Sequence, residues 1–278
     1  MNTPARIAPF VQRASSLPAM PEVAQKLLQS FDRDDLSLPE LAALISRDQA
    51  LSAKVLRLAN SARYSPSRTV GTLPEAAASL GLRTLRDLTL SACMAGAFPD
   101  VPHFDRLEFW RGTLAVAAYA QPVARALDLD EDTAYLGGLV LRTGRILMLL
   151  QDAPNTLLAE RQAVDLDSLI DYERAQMGCC HPEVSAALAR HWRFPEPLVM
   201  AFQAAVEPLA TRPFNRLGAA LRLASVVADC RERGEPVDYG LRATHPALIA
   251  HLQLDLEWLE AHLPDHRLAT AGVEDLMH

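Results

Sequence analysis

An apolar run is interrupted by two arginines and a glycine. Residues 137–150 read GGLVLRTGRILMLL, with Arg142, Gly144 and Arg145 set among leucines. A guanidinium in such company suits recognition of an anion by a rigid fork of donors. The loop that cradles phosphates would need Gly-x-x-x-x-Gly-Lys-Ser/Thr after a strand; that string is absent, and Gly144 lies in a helix-period pattern. Cys179, Cys180 and His181 stand in a row further on. A thiol beside an imidazole is the material of nucleophilic catalysis or metal binding. The pair is neither a CxxC motif nor a zinc knuckle, and nothing nearby activates a thiolate. Cys93, Cys179, Cys180 and Cys230 therefore read as free thiols of a reducing compartment. The ordinary reading of a lone His181 is a hydrogen-bonded core or surface histidine. In HLPDH, His262 and His266 have the spacing of a helical metal pair, but Pro264 lies between them. No Gly-x-Ser-x-Gly nucleophile elbow occurs.

Charge sets a second boundary. The net charge of −7 argues against general nucleic-acid binding. One segment departs from it: Lys54, Arg57, Arg63, Arg68, Arg83 and Arg86 are opposed by Glu75 alone between residues 54 and 86. This segment is either a solvated helical face or an anion-binding or partner-binding surface. Asn60, at the end of an apolar helix, suits a cap that ties down the following turn, with a ligand contact as the alternative.

The elements that must position these residues are helices. Half of the 278 residues are hydrophobic, mostly Leu and Ala, and only 6% are aromatic. That composition favours helix over sheet. The apolar run around Arg142 is too short and too charged to cross a membrane. The N-terminus lacks an apolar signal region, which implies a cytoplasmic protein. Thr3–Pro4 starts a helix carrying Ile7, Phe10 and Val11, and a turn at Pro18 precedes a restart at Pro21. Ser37 with Glu40, and Thr72 with Glu75, are capping boxes; Asp48 caps a stripe of Leu51, Val55, Leu58 and Ala59. Helical patterns then cover 110–127, 132–150, 166–177, 182–192, 197–206 and 215–231, with proline breaks at 99–102, 154, 195–197 and 213. The chain divides near residues 98–104.

Taken together, SLPAMPEVAQKLL, the run from Asp48 to Ser61 (DQALSAKVLRLANS), Leu80-Gly81, Trp110, GGLVLRTGRIL, HPEVSAALARHW and LRLASVVAD resemble the HDOD family of bacterial signalling domains. The resemblance covers about residues 15–230. It implies an all-α fold: an N-terminal helical lobe over 1–100, and over 101–278 a degenerate HD-like lobe with a C-terminal extension. In the related HD phosphohydrolases, a Gly-Leu-Leu-His-Asp-Ile-Gly-Lys segment places adjacent metal-binding His and Asp where this chain has Leu141 and Arg142. An earlier histidine would fall at Gly112, and a His-His pair at Ala205 and Val206. His181 and Asp229 alone keep residue types able to bind metal.

The resemblance thus implies a dismantled metal site with no cofactor and no catalysis. It implies signal transduction through contacts with other signalling proteins, in a setting linked to cyclic dinucleotides. Two alternatives stay open: a small-ligand or nucleotide sensor in which Arg142 and Arg145 meet an anion, and a residual phosphohydrolase. Two further expectations follow. Arg142 takes the vacated metal space and pairs with Asp229. Reversing Arg83 and Arg86 slows association with an acidic partner at little cost in stability.

Overall fold

The computed structural model describes residues 6–14, 20–29, 36–61, 64 and 69–277. Thr3, Pro4, Pro18, Arg63 and Arg68 lie outside them. Among the described residues the regular structure is entirely helical. The first part holds α1 (Ala8–Ala14), α2 (Glu22–Gln29), α3 (Leu38–Ile45), α4 (Gln49–Ala59) and α5 (Leu73–Gly96). The second holds α6 (Arg106–Ala126), α7 (Glu131–Leu141), α8 (Gly144–Gln162), α9 (Leu166–Met177), α10 (His181–His191), α11 (Glu196–Ala204) and α12 (Arg216–Arg233). Five short helices follow: α13 (Val237–Thr244), α14 (Pro246–Leu252), α15 (Leu256–His262), α16 (His266–Ala269) and α17 (Val273–Met277).

Local chemistry sets the starts of the early helices. Ser37 Oγ accepts from the Glu40 amide and the Glu40 carboxylate accepts from the Ser37 amide, closing a capping box on α3. Thr72 and Glu75 do the same for α5. The Asp48 carboxylate accepts from the Leu51 amide at 3.0 Å and starts α4. Leu51, Val55, Leu58 and Ala59 are buried, as the stripe predicts. Asn60 has the tying role: its amide donates to the Leu56 and Val70 carbonyls and its oxygen accepts from the Val70 amide. At Gly81 the backbone leaves the helix with φ of 77°, so α5 is two helices meeting at a bend.

The core sits where α6, α7 and α12 pack on one another, with α10 joining α8 and α11 beside them. The middle of α6 is buried all round, from Thr113 to Ala120, and Trp110 and Tyr119 are among the largest fully enclosed side chains. The expected single helix over 132–150 is in fact two. The chain turns at Arg142 and Thr143 between α7 and α8. Gly144 explains why. A Cβ there would overlap the His181 carbonyl and lie 2.7 Å from the Ser185 amide of α10. Ser185 Oγ holds the break, accepting from the Gly144 amide at 2.8 Å and donating to the Leu141 carbonyl at 2.7 Å. Pro154 marks a second break inside α8: Asp152 leaves helical geometry and caps the Asn155 amide.

The chain ends cross between the two parts. N-terminal α1 lies on α8 and α10, whereas C-terminal α17 lies on α4, α5 and α6. By length and composition, residues Glu131–Gln162 are apolar enough to cross a membrane. They are a core element here, since 78% of their most apolar stretch is buried inside the fold.

Candidate functional site

Five residues singled out in the sequence converge. Gly112 on α6, Arg142 at the α7–α8 turn, Arg145 on α8, His181 at the start of α10 and Asp229 on α12 line one cavity of about 370 Å³. That volume is within the range of small-molecule sites. Leu141, Ala205 and Val206 are buried but do not line it. Val206 instead packs with Ile170 and Cys180. Glu108, Glu160, Asp165 and Glu232 add carboxylates to the wall, and Val164, Leu166 and Leu169 add apolar surface.

Arg142 enters the space beside Gly112. A Cβ on Gly112 would overlap the Arg142 Nη1 atom, so a side chain at 112 and this placement of the guanidinium exclude each other. The guanidinium also lies over the Phe109 ring, 5.5 Å from its centroid. The expected pairing with Asp229 does not occur. Among the described residues no carboxylate lies within ion-pair distance of Arg142, and Asp229 is held by Arg233, one turn along α12, at 2.9 Å. The nearer cation on its own helix takes the carboxylate. Burial, and secondarily the charge of Arg145, pull the Arg142 pKa down to about 9. Burial pushes the Asp229 carboxyl up, against the opposing pull of Arg233. Arg145 has a different fate: it pairs with Glu160 and sits 6.0 Å from the same Phe109 ring.

His181 is buried, and its Nδ1 lies 2.8 Å from Glu173 Oε2. The same oxygen accepts from the His181 amide at 2.8 Å. Glu173 is fully enclosed, and its other oxygen has no hydrogen-bond partner. Sequence reasoning missed Glu173, Phe109 and Glu160: Glu173 and Phe109 meet their partners from other elements, and Glu160 meets Arg145 across the break inside α8, so no local spacing announces them. The neighbouring thiols are enclosed and not activated. Cys179 and Cys180 are free and buried, and burial pushes the Cys179 thiol up to about 12 and the Cys180 thiol higher still. His262 stacks on Trp258, while His266 bonds Tyr119 and Glu232, so the two histidines do not share a site.

A metal of the HD type does not fit these residues. Among the described residues no three His, Cys, Asp or Glu side chains are grouped closely enough to hold an ion. The Arg142 guanidinium, which lines this cavity, is a donor with no lone pair to offer a cation.

Among the described residues of the basic segment, Lys54, Arg83 and Arg86 are engaged within the fold. Arg83 Nε stands 2.9 Å from Asp132 Oδ1, and Arg86 pairs with the other oxygen of that buried carboxylate. Two α5 arginines thus clamp α7. The expectation that both can be reversed at little cost in stability is corrected accordingly. Arg57 is half-buried, and its Nε atom is enclosed without a hydrogen-bond partner. Lys54 donates to the Leu276 carbonyl of α17 at 3.3 Å.

Comparison with known proteins agrees with this architecture. A structure from Shewanella amazonensis SB2B, provisionally named a phosphohydrolase, is 27% identical, with a TM-score of 0.79 and 98% of each chain covered. An HDOD domain protein from Geobacter sulfurreducens is 23% identical at a TM-score of 0.73, covering 96% of this chain and 93% of that one. An uncharacterized protein of Treponema pallidum is 28% identical over 201 residues, 69% of this chain. The match spans 38% of that relative's length. The HDOD domain model matches residues 17–208, more than half of the sequence. The chain belongs to the HDOD family.

Proposed function

We propose that this protein is a non-catalytic element of cytoplasmic signal transduction that works by contact with partner signalling proteins. The observation that carries the proposal is the Arg142 guanidinium lying beside Gly112 in the cavity, at positions where the family resemblance would put metal ligands. A fold that keeps the helices of a hydrolase but loses its ligands retains surfaces rather than chemistry. The resemblance to HD phosphohydrolases is what suggests the setting, control linked to cyclic dinucleotides. The name of the Shewanella protein favours a phosphohydrolase; in this chain the ligand positions weigh against it.

The test combines metal analysis, turnover and capture. The purified chain is expected to hold far less than one equivalent of transition metal and to hydrolyse neither phosphomonoesters nor cyclic dinucleotides. Affinity capture from the native cell is expected to return a signalling protein reproducibly. A full equivalent of metal, with turnover abolished by His181→Ala, overturns the proposal.

A further inference from the structure

The loss of metal ligands leaves a cavity in place, and its charges are unevenly partnered. Arg145 has Glu160, Asp229 has Arg233, and Glu232 has His266. Asp165 accepts from the Ser168 amide and hydroxyl. Arg142 has the Phe109 ring but no anion. Partly buried guanidinium groups normally meet a carboxylate or phosphate, because an unmatched charge away from water is costly.

The geometry beside Arg142 is also fixed. Gly112 gives it room, Phe109 supports its face, and the α7–α8 turn that carries it is held by Ser185. His181 lines the same space with its Nδ1 engaged by Glu173, leaving Nε2 as the ring atom available to a ligand. Asp229 and Glu232 offer acceptors from α12, and Glu108 another from α6. Leu166, Leu169 and the exposed Val164 supply apolar surface. A bare anion would meet too many carboxylates here. A molecule with an oxyanion at one end and hydroxyl or amino donors at the other matches both charge types.

We propose that this cavity binds a compact oxyanion carrying hydroxyl or amino donors, with Arg142 as the principal contact to the oxyanion. The oxyanion is a phosphate monoester or a carboxylate; the Arg142 fork serves either. The proposal is independent of the partner-contact reading, since a site can be filled whether or not a protein docks elsewhere.

Isothermal titration of the full chain at constant ionic strength tests it with three probes: inorganic phosphate, glycerol 3-phosphate and glycerate. One-to-one binding of glycerol 3-phosphate or glycerate, tighter than inorganic phosphate, is expected; which of the two wins identifies the oxyanion. Arg142→Met is expected to weaken that binding by about tenfold or more, the loss of a charge-assisted contact, and Arg142→Lys by less. Should Arg142→Met fail to fold, the Arg142 Nε–H resonance of the wild type, assigned by its absence from Arg142→Lys, is expected to move on titration. No binding by any probe up to millimolar concentration, or equal binding by the folded Met variant, overturns the proposal. So does a resonance that stays in place.

Discussion

A charged side chain reveals its role by what happens when it is removed. Arg142 and Asp229 lie beyond contact, and each is set in different company. A double-mutant cycle of Arg142→Leu and Asp229→Asn is therefore expected to show coupling below about 0.5 kcal/mol in urea denaturation. Arg142→Leu alone is expected to be neutral or stabilising near pH 7, because it removes a charge that burial disfavours. The pH dependence has a definite sign. The folded-state pKa is about 9 against an ordinary 12.5, so between those values the unfolded chain binds more protons than the folded one. Wild-type stability relative to Arg142→Leu therefore rises with pH through that window. A relative stability that falls from pH 8 to 10 (about the range accessible to urea titration) would reverse this account. At this scale the sequence was readable where the family pattern named positions, as at Gly112, His181 and Asp229. It was silent about Glu173 and Phe109, whose importance exists only once helices distant in sequence are packed.

Among the elements, the α7–α8 break shows what periodicity reveals and what it hides. Apolar positions continue in helical phase from Leu139 through Leu147, so the pattern reads as one helix across a turn at Arg142 and Thr143. The turn follows from the close approach of α10, which no local pattern encodes. Capping boxes were legible at Ser37 and Thr72 because both partners lie within four residues of each other. Ser185 is the corresponding device at long range. Ser185→Ala strands the Gly144 amide and the Leu141 carbonyl, both buried, and is expected to cost about 1–3 kcal/mol. Gly144→Ala drives a methyl into the α10 backbone and is expected to cost about 1–3 kcal/mol or more. Both losses are measurable as shifts in the urea midpoint with an unchanged slope. A silent Ser185→Ala would mean that water or a shifted backbone takes over its two bonds.

For the whole molecule, the question is what ties the first five helices to the rest. The sequence suggested two lobes parting near residue 100, yet α5 reaches α7, and both chain ends pack on the opposite part. An ionic cluster crosses the α5–α7 contact: buried Asp132 receives Arg86, whose side chain is 15% exposed, and Arg83, whose side chain is 57% exposed. These burials make the two arginines unequal. An exposed ion pair contributes about 1 kcal/mol or less, whereas stranding one member of a buried pair costs about 3–5 kcal/mol. Arg83→Glu is thus expected to lower stability by about 1 kcal/mol. Arg86→Glu is expected to cost about 3 kcal/mol or more, since it sets a second carboxylate against Asp132. Asp132→Asn, which keeps the shape and removes the charge, is expected to fall between them. Thermal melts of the three variants check the order. If Arg83→Glu and Arg86→Glu melt together with the wild type, the clamp contributes nothing, and apolar packing with the Ser91–Tyr135 hydroxyl bond holds α5 on α7. If the order holds, a partner that competes for Arg83 would loosen the α5–α7 contact only slightly, whereas one that drew Arg86 away would weaken the junction between the two parts.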